Sequence, residues 1–144
     1  MQTIGPYWYS SATPTIKVYN SYNLGTVNGK DVGGIVGYVF HQIECINSFS
    51  TGNLTGTNVG GIVGSALWNN TANIFKNCYY KQSDTVTKGG SQKITVDAIG
   101  LTEITTNETS IINTYIDSDP DSKGTAEWLK WNVDESGNPI FIEK

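Results

Sequence analysis

Arginine is missing from this chain, and all nine of its basic residues are lysine. That removes the planar fork which clamps phosphates and carboxylates bidentately. Charge of either sign is sparse, 15% of residues for a net of -4, which argues against electrostatic capture of nucleic acid or an anionic membrane surface. No apolar run reaches 18 residues, so no membrane-spanning helix is encoded. Two cysteines, Cys45 and Cys78, are too few for a disulfide framework. Alanine, methionine and glutamate, the usual builders of long helices, are also scarce.

Glycine, asparagine, serine, threonine, tyrosine and isoleucine fill their place, which is the vocabulary of turns and strands. A mainly β chain is expected.

Its order is repetitive. "DVGGIVG" at 31 to 37 returns as "NVGGIVG" at 58 to 64, and aligning 16–42 with 43–69 gives 11 identical positions in 27. Tyr22/Phe49 and Val27/Leu54 match in kind. A third copy begins at "IFKNCYY" (74–80), after the extra residues of "SALWNNTAN", and then fades. A repeat of this length cannot bury its own apolar face, whereas stacked copies can. The fold expected is a short parallel β-solenoid, or β-helix, of about 27-residue coils.

Each unit reads as strand, turn, strand, turn, strand. "IKVYNSY" alternates apolar and polar residues; Gly25 and Gly29 punctuate, with "VNGK" and "LTGT" as turns; "VGGIVG" is a short apolar strand. Parallel stacking superimposes Val18, Cys45 and Phe75, then Asn20, Asn47 and Asn77, then Tyr22, Phe49 and Tyr79. The asparagines are expected to form a hydrogen-bonded ladder and the aromatics a stack. Paired glycines permit positive φ or close backbone approach at the corners. Cys45 and Cys78 stand three apart in repeat register, an odd offset that predicts opposite strand faces and free thiols.

"NSYNLGTVNGKDVGGIVG" and "NSFSTGNLTGTNVGGIVG" resemble the GLUG-motif repeats of bacterial cell-surface and adhesin-like proteins, found also in some secreted peptidases outside their catalytic domains. The resemblance covers roughly residues 16 to 80. It implies an extracellular or surface-anchored β-helical repeat module and no catalytic residues.

The chain divides accordingly. Residues 1–15 read as the tail of a truncated preceding repeat, and the whole as a piece of a larger parent. Residues 16–83 hold the GLUG-like repeats (16–42, 43–73 and a partial copy, 74–83). Residues 84–144 are expected to form a small mixed α+β C-terminal cap that covers the last coil's open edge. In it, Ile104, Ile111, Ile112, Tyr115 and Ile116 suggest one helix, and "TAEWLKW" (125–131) a second. "VDESGNPIFIEK" ends in a turn and a strand, with Pro139 suited to an edge. Trp128, Trp131 and "GNPIF" resemble the ending of GLUG-type proteins.

Catalysis finds little support. A polysaccharide-degrading β-helix needs paired carboxylates, and residues 16–69 hold only Asp31 and Glu44, in different parts of the repeat. His41, the single histidine, has no nucleophile at a recognisable spacing and reads as a loop residue. "DSDPDSKG", with Asp117, Asp119 and Asp121, imitates the start of a calcium loop, but Ser122 and Trp128 occupy the positions that want glycine and an acid. The expected reading is a solvated acidic turn and no cofactor, with calcium binding the alternative. Aromatics give the better lead: Trp8 and Tyr9 in one loop, Trp68 and Asn69 in another, at equivalent places after their glycines. A tryptophan beside an amide stacks on a sugar ring while the amide bonds its hydroxyls; the simpler reading, and the one expected for the loops themselves, is that they fold back and cover the coil. The expected function is a non-catalytic module for adhesion to a host or extracellular glycan or protein. A stalk displaying another domain is the alternative, and a polysaccharide-degrading enzyme the remote one.

Overall fold

The computed structural model describes residues 15–68 and 70–102, with 131–133, 135 and 139–141 beyond them. The first repeat contributes β1 (Thr15–Tyr19), β2 (Tyr22–Asn23), β3 (Val27–Gly33) and β4 (Val36–Val39). The second contributes β5 (Gln42–Ser50), β6 (Leu54–Gly60) and β7 (Val63–Ala66). Then follow β8 (Ile74–Lys81), β9 (Gly90–Gln92), β10 (Ile99–Leu101), β11 (Trp131–Val133) and β12 (Pro139–Phe141).

The chain is mainly β, and strands from successive repeats pair in parallel. One sheet runs β1-β5-β8-β10 with β2 beside β5, a second pairs β3 with β6, and a third runs β4-β7-β9. Like lies over like: Val18 on Cys45 on Phe75, Tyr22 on Phe49 on Tyr79, Val32 on Val59 and Val36 on Val63. The loop before β8 adds three residues to the offset, from 27 to 30. Backbone pairing does not stop where sequence identity fades. β9 joins β7, and Tyr79 pairs with Ile99 only twenty residues on.

Within the repeat, two local readings are corrected. "VNGK" and "LTGT" are not turns but the bodies of β3 and β6, where Gly29 lies over Gly56. The turn is carried by Gly25, whose N–H bonds the Asn23 side chain at 2.9 Å. "VGGIVG" is not one strand either: β3 ends at Gly33, the chain bends, and β4 starts at Val36. The bend brings backbone against side chains of the opposite sheet. A Cβ on Gly61 would stand 2.2 Å from the Tyr80 ring. The glycine pair therefore serves close approach.

A third correction concerns the cysteines, which are free but not on opposite faces: their sulfurs lie 3.8 Å apart in the interior. The cause is the asparagine between them in register. Asn20, Asn47 and Asn77 sit in the left-handed region at φ 48, 50 and 51, which asparagine tolerates better than other side-chain-bearing residues. One such residue resets the two-residue alternation. Cys45 faces the main core, Ile46 a smaller cluster with Phe49 and Tyr79, and beyond the corner Cys78 and Tyr80 face the main core again.

The expected ladder and stack are present. Asn47 Nδ2 donates to Asn20 Oδ1 at 2.8 Å and Asn77 Nδ2 to Asn47 Oδ1 at 2.7 Å. Tyr22 and Phe49 stack with ring centres 5.3 Å apart and planes 9° from parallel. The main core gathers Val32, Ile43, Leu54, Ile62, Val63, Phe75 and their neighbours from all three parallel sheets, which is how a thin repeat buries its apolar face.

Beyond residue 83 the described elements are strands. The helix expected around 104–116 lies outside the described residues, as does most of the one at 125–131. Trp131, expected to close that second helix, instead opens β11, because it pairs with Phe141 in an antiparallel hairpin. Pro139 starts the hairpin's second strand, where its missing N–H costs least.

Asp31 links coils as well. Its Oδ1 accepts Asn58 Nδ2 at 2.7 Å and Ser65 Oγ at 2.6 Å. The Ser65 hydroxyl first, then the Asn58 amide, hold the carboxyl below the usual aspartate range. A lowered folded-state value gives stability that is present above the ordinary aspartate pKa, about 4, and lost as pH falls through the lower folded-state value. Wild type should therefore melt higher than Asp31→Asn at neutral pH, and the gap should close as the buffer is acidified below about pH 4. Thermal melts of both proteins across that range check it.

Candidate functional site

The corner between β4 and β5, with its counterpart between β7 and β8, gathers exposed aromatic side chains. Val39 and Ala66 are register partners and both lie in the core. Alternation along β4 then turns Tyr38 and Phe40 outward, whereas Trp68 lies past the end of β7. Tyr38 and Phe40 are exposed at 43% and 52%, and Trp68 at 54%, the most open of the three. Tyr38 and Phe40 have ring centres 6.5 Å apart and tilted, and Phe40 meets the His41 ring edge-on at 5.3 Å. The Leu67 N–H bonds the Val39 carbonyl at 2.9 Å, so Trp68, the next residue, takes the register position over His41.

The loop that carries Trp68 is tied to its neighbour coil. Asn70 Nδ2 donates to the His41 carbonyl at 3.3 Å, and Gln42 Nε2 to the Ala72 carbonyl at 2.8 Å. The Ile43 N–H bonds Asn73 Oδ1 at 3.0 Å, and Asn70 Oδ1 closes its own turn by accepting from the Ala72 N–H at 2.9 Å. These bonds hold the loop while leaving the indole outside. Trp68 thus does not fold back over the coil.

Of the candidate ligand-binding and metal residues picked from the sequence, Trp68 is the one whose place is described. Trp8, Tyr9, Asn69, Asp117, Asp119 and Asp121 lie outside the described residues. Sequence reasoning does not reach Tyr38 and Phe40; His41 lies in the bend between β4 and β5, as its loop reading expects. The signal was available in "YVFH", where a core valine separates two aromatics of opposite orientation to it.

No family model, curated protein or solved structure matches the chain. What the site does must be read from its chemistry. Three exposed aromatic side chains on a hydrogen-bonded corner offer stacking surface. This suits a flat, amphipathic ligand bound at the surface.

The carboxylates of the two full repeats are committed elsewhere. Asp31 holds Asn58 and Ser65, while Glu44 accepts the hydroxyl of Tyr19 on the neighbouring coil. Burial, with the Glu44 carboxylate adding to it, pushes the Tyr19 hydroxyl up to about 12. They bond different partners in different sheets.

Proposed function

We propose that this chain is a non-catalytic β-solenoid repeat module of a secreted or surface-anchored bacterial protein, similar to GLUG-motif modules, and that it binds a glycan at the Tyr38–Phe40–Trp68 corner. The exposed Trp68 indole on a hydrogen-bonded loop carries the reading. Sugar rings present an apolar face of C–H groups that stacks on an aromatic plane, and their hydroxyls meet amides at its rim. Phe40 and Tyr38 extend that platform along the coil, and Trp68 adds to it on the next.

The solenoid part of the proposal draws on the parallel register held over successive repeats. Among the described residues β1, β3 and β4 are the first strands of their sheets, and a repeat placed before them would continue the same pairing. That observation favours a second role as a stalk, which the same test separates from binding.

The test is a glycan and extracellular-matrix array probed with wild type and Trp68→Ala, in buffer with and without calcium. A saturable signal that falls tenfold or more in Trp68→Ala is expected, while the melting temperature stays within a few degrees because the side chain packs little. Binding that survives the substitution unchanged would remove this corner from the account. Silence of the folded wild type across the array would leave the stalk.

A further inference from the structure

We propose that Cys45 and Cys78 form a disulfide that staples the second repeat to the third when the chain folds in an oxidising compartment. The inference is independent of the aromatic corner.

The geometry carries it. The two sulfurs stand 3.8 Å apart, and Cys78 Sγ also lies 3.3 Å from the Cys45 carbonyl oxygen, so its side chain already reaches across to the neighbouring coil. A disulfide needs a sulfur separation of about 2 Å, so the bond forms by rotation about the side-chain bonds that draws the two sulfurs together. The left-handed asparagines make the meeting possible, since an unbroken strand would put these residues on opposite faces.

The repeat indicates that the pair is an addition to the design. The rung of Cys45 holds Val18 in the first repeat and Phe75 in the third. The rung of Cys78 holds Ser48 in the second, and its counterpart in the first is Ser21. Packing needs neither cysteine. Each replaces an ordinary occupant, and the two replacements face each other across a junction between coils.

The chemistry is thiol–disulfide exchange with an oxidised dithiol carrier. The Cys45 thiolate attacks the carrier disulfide, giving a mixed disulfide and one carrier thiolate. The Cys78 thiolate then attacks Cys45 Sγ and releases the second carrier sulfur. Both cysteine protons go to solvent, and two electrons reduce the carrier to its dithiol. Both sulfurs are enclosed in the finished fold, so exchange occurs as the coils close.

The full chain is unfolded in reductant and refolded in a glutathione redox buffer, and its free thiols are counted in denaturant. The expected product is a monomer that has lost both thiols and the mass of two hydrogens. Closing a span of 33 residues should raise its melting temperature on the order of 10 °C over the reduced form. Cys78→Ser, which restores the residue of the equivalent rungs, and Cys45→Val should fold and show no shift with reductant. A refolded wild type that keeps two free thiols, or that pairs them only between chains, would overturn the staple. So would a reductant-dependent shift of the same size in Cys78→Ser.

Discussion

Asn47→Ala is expected to destabilise the chain by about 3 to 5 kcal/mol, a large share of a domain's total stability. Asn47 is fully buried, donates to Asn20 and accepts from Asn77. Alanine removes both bonds in a dry site, at roughly 1 to 3 kcal/mol each. It also places an ordinary side chain at φ 50, which costs about 1 kcal/mol more. Asn47→Gly separates the two effects, because glycine accepts that backbone freely while making neither bond. Urea melts should rank wild type above Asn47→Gly and Asn47→Gly above Asn47→Ala. Glycine is normally worse than alanine within β structure, so this order is diagnostic. Alanine matching or exceeding glycine would mean that the left-handed corner is absent in solution.

Gly60→Ala should be comparably harmful. Its new methyl would lie 2.0 Å from the Val63 carbonyl oxygen and 2.9 Å from both the Gly89 oxygen and the Gly90 Cα. All three are backbone atoms of the corner or of the next coil, so no side chain can rotate away. Overpacking usually costs about 1 to 3 kcal/mol, and a backbone clash belongs at or above the top of that range. Gly29→Ala is the control within the same sheet. The nearest atom to its methyl is Val32 Cγ2 at 3.6 Å, an ordinary contact, so stability should move by less than about 0.5 kcal/mol. Equal losses at Gly29 and Gly60 would contradict the close approach of coils at the corner.

These two residues also show what was legible in the sequence. The repeat length, the parallel pairing, the asparagine ladder and the aromatic stack followed from spacing, since stacking identical units dictates which residues superimpose. The path inside one unit did not follow. Local propensity marks "VNGK" as a turn, yet pairing of β3 with β6 makes it a strand, because the ladder partner lies a whole repeat away. Period-two alternation placed Cys45 and Cys78 apart, yet a single left-handed asparagine reverses the parity between them. β9 and β10 were invisible because backbone hydrogen bonds extend a parallel sheet without requiring sequence likeness. At the candidate site Trp68 stood out by composition. Tyr38 and Phe40 did not, since aromatics in a β repeat suggest core until the buried valine between them is placed.

The register itself, each repeat paired in parallel with the one before, underlies the fold and both sites. The direct test is to insert a second copy of residues 43–69 after the first, beside a matched insertion that lacks one residue within β6. The complete 27-residue copy should fold, melt higher than wild type and unfold with a steeper denaturant dependence, because it adds one interface between neighbouring coils. The shortened copy should melt lower, since one missing residue turns every later side chain of that strand to the wrong face. Equal behaviour of the two insertions would contradict the stacked, in-register coil.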